Sequence, residues 1–164
     1  MICYNSKLLF KLLLLIFNNN DTFANLNYLI LLKEFSYNKT EKLKSKKQLD
    51  DIFTYGKSFT VFPLKVLYMI PTEQDNIIKT GVGVSSKHFK KAVLRNRIKR
   101  LLREAYRTEK QSLHVCLNNN KKQLTVFLLF IDKTLPQYKL VKEKMKLCIQ
   151  HLIQELNEMD FKNS

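Results

Sequence analysis

The spacing of apolar residues changes several times along this chain, and each change marks an element. Leu8 to Phe17 is almost wholly apolar, broken only by Lys11, until Asn18-Asn19-Asn20-Asp21 ends it; a second apolar patch runs from Asn25 to Leu32. Ten residues fall short of the about 20 that a helix needs to cross a bilayer, and the Asn-rich end makes a poor cleavage site. Residues 1–35 are therefore read as an apolar N-terminal extension, either an extra helix, a membrane-directed segment or the product of an upstream start. A domain follows over residues 36–160.

Within that domain, Leu49, Ile52 and Phe53 give the i, i+3, i+4 edge of a short helix, with Ser45 as its cap and Gly56 as a left-handed C-terminal residue. Ser58–Phe62 and Leu64–Ile70 read as strands separated by Pro63, and Ile77–Ser85 as a third after a turn at Asp75-Asn76. Gly81 and Gly83 alternate with Val82 and Val84, which marks a close backbone approach or a groove on that face. From Ala92 the period becomes helical. Leu94, Ile98, Leu101, Leu102 and Ala105 share an arc of about 100°, beside an arc of about 140° holding Arg95, Asn96, Lys99, Arg100, Arg103 and Arg107.

His114–Gln123 reads as a polar loop and Leu124–Ile131 as an interior strand. Tyr138–Met159 reads as a last helix burying Val141, Met145, Cys148, Ile149, Leu152 and Leu156. The order α-β-β-β-α-β-α predicts a single small α+β domain, a mixed four-stranded sheet with three helices on one face. The third strand, basic helix and fourth strand form a β-α-β crossover, right-handed by default if those strands are parallel neighbours.

Charge narrows the function. The chain holds 29 Lys and Arg against 14 Asp and Glu, a net charge of +15, so a polyanion is the expected partner: nucleic acid or an anionic membrane surface. Lys87 to Lys110 carries ten bases against Glu104 and Glu109, with Arg concentrated in the helix. Arg presents a planar fork of donors that matches phosphate oxygens. Such a band repels itself by about 0.2–0.5 kcal/mol per i,i+4 pair, as at Arg95/Lys99 and Lys99/Arg103. In the last helix Lys139, Lys142, Lys144 and Lys146 come early and Glu155 and Glu158 late, against the helix dipole.

Catalytic chemistry is missing. Asp50-Asp51 point apart on a helix, no carboxylates are spaced for two metal ions, and Ser85-Ser86 has no visible base and orienter. Cys3, Cys116 and Cys148 lack metal-ligand spacing, which fits a reducing compartment. No catalytic or metal-binding residue is assigned. Phe53 from the short helix, with Tyr68, Phe62 or Val82 from the strands, could line a groove on which bases stack.

The tract Ala92 to Arg107, with its core Arg-Asn-Arg-x-x-Lys-Arg-x-x-Arg-Glu, closely resembles the signature of the bacterial ribonuclease P protein component. The flanks agree: Leu43–Phe53 with Gly56-Lys57-Ser58-Phe59, Leu67-Tyr68, and Thr80–Ser85 are similar to the family's pattern, and the resemblance covers about residues 36–158. It implies a left-handed β-α-β crossover and a protein subunit that partners a catalytic RNA. That RNA, with Mg2+ held mainly by RNA, removes the 5′ leader of precursor tRNA. By position, Arg95, Asn96, Arg97, Lys99, Arg100 and Arg103, with Lys87 and Lys90 in the preceding turn, would contact RNA. Phe53, Tyr68 and Val82 would line the leader groove. A cytoplasmic protein, monomeric within the holoenzyme and without a membrane partner, is the corresponding expectation. Leu49 stands where the family commonly has an aromatic, Ser85–Ala92 is one residue longer than usual, and residues 1–35 match nothing in the family. The alternative is a general RNA-binding or ribonucleoprotein-assembly role on a similar fold.

Overall fold

Helix α1 (Lys46–Tyr55) starts where expected: Ser45 is its N-cap and accepts a hydrogen bond from the Gln48 amide. It stops at Gly56 for a reason the sequence reading misplaced. Gly56 is extended rather than left-handed (φ −68°), and a Cβ there would run into the Ile52 carbonyl oxygen. The computed structural model describes residues 37–71, 77–120 and 123–161, so the turn expected at Asp75-Asn76 and the extension over residues 1–35 lie outside the described residues.

Four strands follow: β1 (Lys57–Val61), β2 (Leu64–Met69), β3 (Ile78–Val84) and β4 (Leu124–Phe130), in the order β1-β2-β4-β3. β1/β2 and β2/β4 are antiparallel, whereas β3 and β4 are parallel neighbours, so the sheet is mixed as expected. Pro63, after a cis peptide bond, occupies the tight β1–β2 turn, where no ladder donor is needed. The free side of β3 is partly paired. The Thr80 amide donates to the Glu41 carbonyl (2.7 Å) and the Leu43 amide to the Thr80 carbonyl (3.0 Å), so residues 41–43 cover that edge.

Alternation in the strands sends Leu64, Val66 and Tyr68 to the same face as Val126, Leu128 and Phe130. Ile78, Leu124 and Phe89 join this core, and helices α2 (Ala92–Glu109), α3 (Gln111–Asn119) and α4 (Tyr138–Phe161) cover it. On α4 the anticipated stripe from Val141 to Leu156 is buried throughout.

Three expectations need correction. The described residues hold four helices, not three. Leu113 and Leu117, one turn apart and fully buried, pull Gln111–Asn119 into α3 despite its polar residues. The helices do not all lie on one face, because the Phe53 ring of α1 meets Phe127, whose neighbours in β4 point into the core on the other side. Finally, α2 is rotated from its predicted seating. Ile98, Leu102, Ala105 and Tyr106 are buried, while Leu94 and Leu101 are only half-buried. Tyr106 draws that turn inward: its ring packs edge-on against Tyr37 at 5.7 Å, and the Tyr37 hydroxyl donates to the Thr80 carbonyl at 2.6 Å.

Candidate nucleic-acid interface

The rotation of α2 decides which basic side chains reach solvent. Asn96, Arg97, Arg100 and Arg103 are exposed and Lys99 is half-buried. Among the described residues none of these four bases is ion-paired with a carboxylate. Glu104, the acid nearest in sequence, is already engaged: Arg107 donates from Nη2 to one oxygen (2.6 Å) and from Nε to the other (2.9 Å). That bond holds the Glu104 carboxyl below its ordinary pKa. The signature face therefore keeps most of its positive charge unneutralised.

Arg95 differs from its neighbours. Its Nη1 donates to the carbonyls of Phe89 (2.9 Å) and Lys90 (2.6 Å), tying the turn before α2 to the helix. Phe89 is buried against Phe130 and anchors the same turn. Lys87 and Lys90 are thus held, exposed, at the start of α2. That start has no side-chain cap and no acid in its first turn. Its orphan amides and the positive end of the helix dipole add to the lysines.

The predicted groove trio is not brought together. Phe53 is 53% exposed on α1 and contacts Phe127 edge-on at 5.1 Å. Tyr68 lies on the core face, 3% exposed, and its hydroxyl donates to Glu155 of α4 at 2.8 Å; burial and this bond push its pKa up. Val82 also packs against the core, on the face of its register partner Leu128. Strand alternation puts Tyr68 on the core face with Leu64 and Val66, away from the α1 side of the sheet where Phe53 lies.

Phe127 is the residue that sequence reasoning missed. Its ring lies over Gly81 and Gly83, where an added Cβ would approach it to 2.5 and 2.7 Å. The glycines are therefore small to seat an aromatic, and the face above them is a Phe127–Phe53 pair rather than an empty groove. The signal was the register pairing Gly81 with Phe127, hidden in an uninterrupted apolar run. On the same side of the sheet is a cavity of about 400 Å3, lined by Ser45, Lys47, Gln48 and Asp51 of the α1 region and by Met69, Pro71 and Thr125.

Among the described residues no three His, Cys, Asp or Glu side chains are grouped so as to hold a metal ion. No described helix is long and apolar enough to cross a membrane.

Comparison with known proteins agrees with this geometry. The chain is 34% identical over 113 residues to the ribonuclease P protein component of Porphyromonas gingivalis, covering 68% of this chain and 82% of that protein. It is 28% identical over 128 residues to the component of Chlorobium phaeobacteroides, covering 71% and 88%. The solved structure of the Staphylococcus aureus RNase P protein shares the fold, with a TM-score of 0.52 at 19% identity over 70% of this chain and 96% of that one. The ribonuclease P family model matches residues 37–152, a span holding the signature helix, its turn and the whole sheet, and the chain belongs to the bacterial ribonuclease P protein family.

Proposed function

We propose that this chain is the protein subunit of a ribonuclease P, binding the catalytic RNA and the 5′ leader of precursor tRNA while the RNA carries out metal-dependent hydrolysis. The observation that carries the reading is the exposed, unneutralised row of Asn96, Arg97, Arg100 and Arg103 on a helix whose opposite side is locked into the core. In this reading those side chains, with Lys99, contact the catalytic RNA. Lys87 and Lys90 meet phosphates from the turn, and Arg95 acts indirectly by holding that turn in place. Mg2+ is held mainly by RNA, and the polypeptide breaks no bond.

The leader is assigned to the α1 side of the sheet, with bases stacking on Phe53 beside Phe127; such a contact is worth about 1–3 kcal/mol per base. Tyr68 and Val82 support that sheet from its other face. A left-handed β3-α2-β4 connection, a single copy of the protein per holoenzyme, cytoplasmic location and no membrane partner belong to the same proposal.

Affinity for precursor tRNA with and without its leader, measured on the reconstituted holoenzyme, tests it. The leader-bearing substrate should bind more tightly, and Phe53→Ala should reduce that difference while leaving leaderless tRNA unaffected. Equal affinity for both substrates would leave only a general RNA-binding role.

A further inference from the structure

The first half of α4 carries four lysines, Lys139, Lys142, Lys144 and Lys146, against Glu143 alone, with no acid in the first turn. The macrodipole favours the reverse order, so these charges oppose the stability of their own helix. At the other end Glu155 has a local role, accepting the Tyr68 hydroxyl. The lysines have little comparable local use. Among the described residues, Lys139 and Lys146 form no ion pair, and Lys142 makes only a long contact, 3.6 Å, with Glu109 of α2 while 47% exposed.

Lys139, Lys142 and Lys146 stand at i, i+3 and i+7, within about 60° of one another around the helix axis. The Lys142–Glu109 contact turns this row toward α2, and Arg107 of α2 lies close enough to Tyr138 to interact with it electrostatically. The row therefore lies beside the C-terminal end of α2 as a basic surface of its own, since Glu109 sits about 120–180° round that helix from Arg97, Arg100 and Arg103.

We propose that Lys139, Lys142 and Lys146 form a second contact with the RNA phosphate backbone, separate from both the signature face of α2 and the α1 side of the sheet. The proposal rests on the function proposed above. Three ammonium groups on flexible stems, with no Arg among them, suit phosphates without base selection. An anionic bilayer fits less well. The exposed apolar residues Leu140 and Leu147 lie about 120° round the helix from the lysines, whereas an interfacial helix needs a broad apolar face beside its basic one.

The test uses the full chain and an in vitro transcript of the catalytic RNA, with affinity measured across a salt series. Converting all three lysines to Gln should lower the log–log salt slope by about 2–3, near 0.9 per lost duplex phosphate contact. Converting them to Arg should keep the slope, and the midpoint of thermal unfolding should not fall in either variant. If the triple Gln chain does not fold, Lys139→Gln and Lys146→Gln alone should each lower the slope by about 0.9. A slope unchanged by these substitutions but lowered by Arg97→Ala with Arg100→Ala overturns this proposal alone; a slope unmoved by either set overturns the proposed function as well. Loss of binding to phosphatidylserine vesicles with an unchanged RNA slope would also overturn it, in favour of a membrane surface.

Discussion

Replacing Glu41 with Gln should destabilise the fold by about 3–5 kcal/mol, although Glu41 lies outside every element named above. The Lys110 side chain is 3% exposed and that of Glu41 14%, and the Lys110 ammonium sits 2.7 Å from both carboxylate oxygens. At an effective dielectric near 20, charges at this separation attract by about 6 kcal/mol before desolvation is counted. With the carboxylate gone, the buried ammonium loses the counter-charge that faces it, at the α2–α3 junction where Lys110 is the last cap of one helix and the first of the next. Most small domains hold about 5–15 kcal/mol in total, so the variant would stand near its unfolding threshold. Urea unfolding of the full chain, followed by circular dichroism, should show a lower midpoint with an unchanged slope. Glu41→Leu combined with Lys110→Met should recover most of the loss, because removing both charges leaves no buried ion. A loss under about 1 kcal/mol for Glu41→Gln, as for a surface pair, would refute this reasoning.

Three other outcomes follow from the same packing. Leu102→Ala should cost about 2–5 kcal/mol and Leu101→Ala clearly less; urea midpoints in the reverse order would contradict the seating of α2. Gly83→Ala should destabilise by about 1–3 kcal/mol through contact with the Phe127 ring. Adding Phe127→Leu should return part of that in the same assay, and no recovery would show that the ring is not the obstacle. Burial, with Lys110 nearby, lowers the His114 pKa from its ordinary 6.5. The folded state then binds its proton less readily than the unfolded state. This contribution to stability is complete above pH 6.5 and falls as pH drops from there toward the folded pKa. His114→Leu should flatten the stability curve just below pH 6.5, and an unchanged slope would exclude His114 as its source.

Much of the fold could be read from the sequence because its periods were clean. The α4 stripe and the β-β-β-α-β order needed only alternation and 3.6-residue spacing. The seating of α2 was less legible, because Tyr106 could not be recognised as core until Tyr37 was brought against it from 69 residues upstream. Helix α3 was missed because two leucines among polar residues are a weak signal without the surface they bury against. At the site, the exposed arginines followed from composition and spacing. Two details depended on three-dimensional contacts instead: Arg95 turns back to carbonyls, and Phe127 rather than Tyr68 shares a surface with Phe53. Neither a hydrogen bond to a turn nor a cross-strand glycine–aromatic pairing leaves a mark in one-dimensional pattern.

The most direct test is single-turnover cleavage of precursor tRNA by the chain alone, by catalytic RNA alone and by both together, with the Arg97→Ala, Arg100→Ala double variant in parallel. The expected result is no cleavage by the protein alone and strong, salt-sensitive enhancement of the RNA reaction. The variant should lose that enhancement while keeping its circular dichroism spectrum. Full-rate leader removal by the isolated chain after every RNA has been digested away, or loss of helix in proportion to lost enhancement in the variant, would contradict it.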